Sequence, residues 1–130
     1  MTYITPSVNP SAIISEKAGT DLNQPAFFIA KFDSLGTVVK ADAGECALGV
    51  FVPTNDDTII SGDGVDIQVK DIGYVKAGAA ITKGAAVTSD ANGKAVPAAA
   101  GNFILGYALS AAANADEVIL VQITKSGYQA

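Results

Sequence analysis

Asp33-Ser34-Leu35-Gly36-Thr37-Val38-Val39 and Asp90-Ala91-Asn92-Gly93-Lys94-Ala95-Val96 share one pattern, Asp-x-x-Gly-x-x-Val, 57 residues apart. The register then holds without a gap. Ala41, Ala43, Gly44, Leu48 and Gly49 fall on Ala98, Ala100, Gly101, Leu105 and Gly106, so residues 31–51 match 88–108 at 8 of 21 positions. Agreement of that kind at a constant offset is the mark of a repeated supersecondary unit. An Asp followed three residues later by Gly, between apolar runs, is also hairpin-turn chemistry, so the repeated unit reads as β.

Working outward, short β-rich runs are cut by turn residues every eight to twelve positions from Pro25 onward. This spacing predicts an all-β sandwich or small barrel. Strands are expected at residues 26–32, 37–40 and 47–52, the last stopped by Pro53. Ser61-Gly62-Asp63-Gly64 supplies a tight turn, after which Val65, Ile67 and Val69 alternate with Asp66, Gln68 and Lys70, the period of a strand with one buried and one wet face. Tyr74-Val75 continues the sheet. Residues 118–123 make a last strand, apolar on both faces except at Gln122, and hence expected centrally or under a covering segment. The alanine runs at 98–100 and 111–113 favour helix by propensity, but Pro97, Gly101 and Asn114 bound them, and both read as packed connections.

Residues 1–24 differ in character. Pro6 and Pro10 remove backbone donors and bias their predecessors toward extended conformations, and only Ala12-Ile13-Ile14 offers an apolar grip. The expected organisation is an extended N-terminal arm, 1–24, followed by a β domain, 25–130, built from two related β units. Tyr3, Ile4, Ile13 and Ile14 on the arm are candidate contact residues. Tyr128 joins them, because an aromatic on a loose terminus gains little unless it docks on something.

Composition narrows the function. At 130 residues the chain is sized for one core, with an expected folded surface of roughly 6,400 Å². Hydrophobic residues make up 49% and charged residues 16%, a sparse charge cover that points to a surface meeting a partner. A net charge of −5 and a pI near 4.4 oppose phosphate-backbone binding, so no nucleic-acid partner is expected. There is no histidine, and Cys46 is the single thiol, which removes the commonest general base, an intrachain disulfide and a His/Cys metal site. Cys46 aligns with Phe103 in the repeat and reads as a small core residue.

Asp56-Asp57 and Asp63-x-x-Asp66 are the carboxylate pairs that could gather calcium, but neither has the ligand pattern of an EF-hand loop; solvated turns are the better reading. No phosphate-binding glycine pattern and no G-x-S-x-G occurs. No catalytic residue, metal or cofactor is expected, and the protein is not read as an enzyme. The uncharged stretch 95–115 has the length of a membrane span, but Pro97, Gly101, Asn102 and Gly106 interrupt it, and no membrane partner is expected. The strand aromatics Phe27, Phe28, Phe32, Phe51, Phe103, Tyr74 and Tyr107 are expected in the core.

Four elements then occur in order: Lys83-Gly84-Ala85-Ala86-Val87, Asp90-x-x-Gly93-Lys94-x-Val96, Leu105-Gly106-Tyr107-Ala108 after Ile104, and Asp116-Glu117-Val118-Ile119-Leu120-Val121. This succession resembles the capsid decoration, or cement, proteins of tailed bacteriophages. It covers residues 65–124 directly and 25–52 through the repeat. The resemblance implies a small β-barrel on the outer surface of an icosahedral head, assembled in the bacterial host cytoplasm. There it would hold adjacent major capsid protein subunits together, often as a homotrimer. The family pattern carries no catalytic residue. The alternative from another class is a ligand- or glycan-binding β module on a virion or cell surface, disfavoured by the absence of Trp.

Overall fold

The computed structural model describes residues 11–130. Its strands, in chain order, are β1 (Ile13–Lys17), β2 (Leu22–Asn23), β3 (Ile29–Phe32), β4 (Val38–Lys40), β5 (Gly49–Phe51) and β6 (Thr58–Ile59). The second half adds β7 (Gly64–Gln68), β8 (Asp71–Lys76), β9 (Ala86–Ser89), β10 (Ala95–Pro97), β11 (Gly106–Ala108) and β12 (Val118–Ile123). No helix occurs among the described residues. The all-β expectation holds, and both alanine runs are connections.

The repeat organises both main sheets. One sheet runs β1-β7-β5-β3-β4 and the other β8-β12-β11-β9-β10, the same order built twice, with every ladder antiparallel. Shifted by 57 residues, β3, β4 and β5 land end to end on β9, β10 and β11. The fourth strand follows by pairing: Val50 and Phe51 face Gln68 and Ile67, as Tyr107 and Ala108 face Gln122 and Val121. β1 and β8 both end in Lys and are followed by Ala-Gly, and that alanine makes one parallel bridge to the far edge of its own sheet, Ala18 to Val38 and Ala77 to Ala95. The sheets are open ladders whose first and last strands touch at that bridge. A small β2–β6 pair belongs to the first unit alone.

Two local devices explain the repeated residues. In the β3–β4 turn, Asp33 Oδ1 accepts the N–H groups of Leu35 (2.9 Å) and Thr37 (3.0 Å); in the β9–β10 turn, Asp90 Oδ1 accepts those of Asn92 (2.8 Å) and Lys94 (2.9 Å). The carboxylate satisfies turn donors that no strand reaches. Gly36 and Gly93 then sit at φ of 78° and 79°, a left-handed conformation that glycine adopts without strain. The second device is a close approach. A Cβ on Gly49 would stand 2.0 Å from the Gln68 carbonyl oxygen, and one on Gly106 would stand 1.9 Å from that of Gln122. β5 and β11 can lie against β7 and β12 only because both positions carry hydrogen.

Each unit has an apolar core, and the two are joined. Phe51, Ile67, Ala30 and Val38 are fully buried in the first unit, and Val87, Leu105, Val121 and Ala95 in the second. Ile29, Ala41, Ala47 and Val50 of the first unit pack into the second unit's cluster, so the interface is itself core.

Several expectations change. Ile13–Lys17, expected in an extended arm, is strand β1, paired residue for residue with β7; Ile14 pairs with Ile67 and packs on the first core. Leu22 is buried against Ile59, and Pro25 is fully buried. Within 1–24, only residues 1–10 lie outside the described residues. Phe32, Tyr74 and Tyr107 are exposed rather than core, because each points away from its sheet's own cluster. Cys46 is exposed as well. β12 does lie between β11 and β8, but only Ile119, Val121 and Ile123 are buried, and no described segment covers its other face.

Candidate functional site

The outward face of the second sheet exposes several large apolar side chains. Along β8 and β12, Val75, Ile119 and Val121 point inward and are buried, so strand alternation sends Ile72, Tyr74, Val118 and Leu120 outward. Pairing makes these neighbours: Tyr74 lies opposite Leu120, Ile72 opposite Gln122 and Lys76 opposite Val118, while Gln122 is flanked on its other side by Tyr107. Ile72 and Tyr74 are each more than half exposed. A contiguous apolar stripe that costs solvation on a lone chain marks a contact surface.

At the centre of the first sheet's equivalent face the residues are polar, although Ile13 stands where the second unit has Ile72. Ser15 and Asp66 stand opposite each other where the second unit has Tyr74 and Leu120, and the Ser15 hydroxyl donates to the Asp66 carboxylate. Gly64 replaces Val118. One architecture thus carries a wet face and an apolar one.

Next to the stripe, Phe27 packs edge-on to Tyr74 with ring centroids 6.2 Å apart, and the ammonium groups of Lys40 and Lys76 lie 3.8 Å and 5.3 Å from the centroid of Phe28. Burial, with the positive charges of Lys76 and Lys94 nearby, lowers the Lys40 pKa. Lys94 binds Asp116 at 2.6 Å, which holds that carboxyl below its usual range. In the first unit an open cleft of about 570 Å³ lies between β1 and the β3–β4 turn, lined by Glu16, Lys17, Leu35 and Thr37. Among the described residues, no cluster of three or more His, Cys, Asp or Glu side chains could hold a metal ion. No described helix is long and apolar enough to cross a membrane.

The residues expected to make contacts do not form one site. Tyr3 and Ile4 lie outside the described residues. Ile13 is 44% exposed on edge strand β1, and Ile14 points to the opposite face, half-buried. Tyr128 belongs to the other unit, 62% exposed, with its ring edge-on to Phe103 at 5.5 Å. Ile72, Tyr74 and Leu120 were not singled out as a surface. The available signal was the apolar character of both faces of residues 118–123.

The sequence matches the phage cement protein family over residues 17–123. The chain belongs to that family. This cement-family chain is therefore a structural protein of the phage virion, a component of the capsid's outer surface. Its fold is similar to that of the N base of head fiber gp8.5 in bacteriophage phi29, with a TM-score of 0.68 and 20% sequence identity over 91% of this chain and 98% of that one. No curated protein matches the sequence.

Proposed function

We propose that this protein cements the capsid by bridging adjacent major capsid protein subunits as a homotrimer, without catalysing any reaction. The apolar stripe on the outward face of β8 and β12 supports this reading. A virion surface protein that exposes Tyr74, Ile72 and Val118 together has an apolar face suited to a protein partner, and among the described residues no cluster of three or more His, Cys, Asp or Glu side chains could hold a metal ion. Several such faces on one oligomer bind a repeating shell tightly even when each contact is weak, because the second and third contacts form at high effective concentration. Ile13 on the edge strand, Ile14 behind it, Tyr3 and Ile4 ahead of them, and Tyr128 on the C-terminal segment would add peripheral grips.

The test is co-sedimentation of purified protein with shells of its phage that lack it. Tyr74→Asp and Val118→Asp should each reduce occupancy by roughly tenfold or more, as for a central contact residue, with an unchanged thermal melt. Full occupancy by both variants would remove the stripe from the mechanism. Removing residues 1–10 tests Tyr3 and Ile4; removing 1–24 would instead strip β1 and β2 from their sheets.

A further inference from the structure

We propose that the contact joining the two units within a chain is repeated between chains, so that the first unit of one copy seats on the second unit of another, head to tail. The internal contact is well defined. The second unit presents its β9–β10 turn and the segment after it: the Gly93 carbonyl accepts the Ile29 N–H (2.7 Å), the Ser89 carbonyl accepts the Gly44 N–H (3.0 Å), and the Phe103 N–H donates to the Gly44 carbonyl (3.1 Å). Ile29, Ala41 and Val50 of the first unit are buried beneath.

Carried through the repeat, each half of this contact exists a second time on the same chain, the inserting half exposed and the receiving half partly so. The inserting half recurs in the first unit as the β3–β4 turn, with Phe32 and Gly36 standing where Ser89 and Gly93 stand. Ser89 is 3% exposed but Phe32 is 45%, and Leu35 at the turn's tip is 86% exposed. The receiving half recurs in the second unit, where Ala86, Ala98 and Tyr107 stand for Ile29, Ala41 and Val50. Val50 is 2% exposed and Tyr107 is 38%.

The turn backbones match, with φ of 78° at Gly36 and 79° at Gly93, so the Gly36 carbonyl is shaped to meet the Ala86 N–H as Gly93 meets Ile29. The C-terminal segment already covers part of the receiving half: Gly101 donates to the Gln129 carbonyl, where its counterpart Gly44 donates to Ser89. Ala86, Ala98 and Tyr107 remain for the incoming turn. An apolar tip and an apolar seat on different units make a heterologous contact, which closes into a ring when the rotation permits.

This deepens the self-association proposed above and does not need a capsid. Sedimentation of the full chain without shells should show concentration-dependent assembly, which Leu35→Glu and Tyr107→Glu each weaken by roughly tenfold or more. Each variant keeps one intact half, so an equimolar mixture should form one-to-one dimers that grow no further. Phe32→Glu and Ala86→Lys repeat the two arms should either first variant fail to fold. A wild type monomeric throughout, a folded variant that assembles normally, or a mixture that stays monomeric would each overturn the proposal. Shell binding by an obligate monomer would separate its failure from that of the cement reading.

Discussion

The two units share strand order, turn chemistry and the close-approach glycines, yet they differ where each meets its surroundings. The first buries Val50 and Ile29 under its neighbour and keeps Ser15 and Asp66 on its free face; the second leaves Tyr107 exposed and carries Tyr74 and Leu120 at the positions of Ser15 and Asp66. Features needed to fold either unit recur in both. On the outward faces Ile13, Lys17 and Gln68 recur as Ile72, Lys76 and Gln122, while Ser15, Asp66 and Gly64 give way to Tyr74, Leu120 and Val118, and the contacts proposed above fall where the units differ.

The strongest way to break this equivalence is at Gly49 and Gly106. Alanine at either should cost more than about 4 kcal/mol, because its Cβ must displace a strand carbonyl rather than a pliable side chain. Thermal melts should show losses of similar size at the two sites; tolerance at one would mean that the units close differently. Leu48 and Leu105 sharpen the comparison within the two cores. Leu105 is fully buried and Leu48 half-buried, so Leu105→Ala should cost about 2–5 kcal/mol and Leu48→Ala only about 1–2 kcal/mol by denaturant titration. Equal losses would place Leu48 in a contact the isolated chain does not show.

The smallest effect concerns the turns. The Thr37 hydroxyl bond, the N–H groups of Leu35 and Thr37, and nearby Lys31 hold the Asp33 carboxyl below its usual range. A carboxyl with a lowered folded pKa contributes stability that is complete above its unfolded value, about 4, and is lost as pH falls through the folded value. Asp33→Asn should therefore flatten the acid limb of the stability curve, and Asp116→Asn should flatten it through its pairing with Lys94. An unchanged limb in both would show that these groups do not sense folding.

Much of the fold was legible because turns and close approaches restrict residue identity. Asp33, Gly36, Gly49 and their counterparts recur at one offset since each meets a backbone demand, and the strand at residues 64–68 announced itself by alternation. That β1 is a strand, and the counterpart of β8, was not legible for a physical reason. Between Phe51 and Ile67 the first unit holds the β2–β6 pairing strand that the second unit lacks, which breaks the constant offset, and β1 and β8 share little beyond Lys-Ala-Gly. Pro6 and Pro10 also made the start of the chain read as an arm, although Ile14 and Glu16 already alternate with exposed neighbours in β1.

The candidate surface was less legible. Tyr74, Tyr107 and Phe32 look like core in a sequence, since an aromatic in a strand is usually buried, and nothing local says which face of a sheet the chain's other elements will cover.

By itself, then, the sequence determined that this is an all-β chain made from a duplicated hairpin unit, sparse in charge and without histidine. Those properties are local: turn geometry, alternation and composition act over a few residues. Only the tertiary structure decided which sheet face is buried and which is free, because the second unit's placement on the first covers Ile29 and Val50 while leaving their equivalents exposed at Tyr107 and half-buried at Ala86, and that placement depends on residues far apart in the chain.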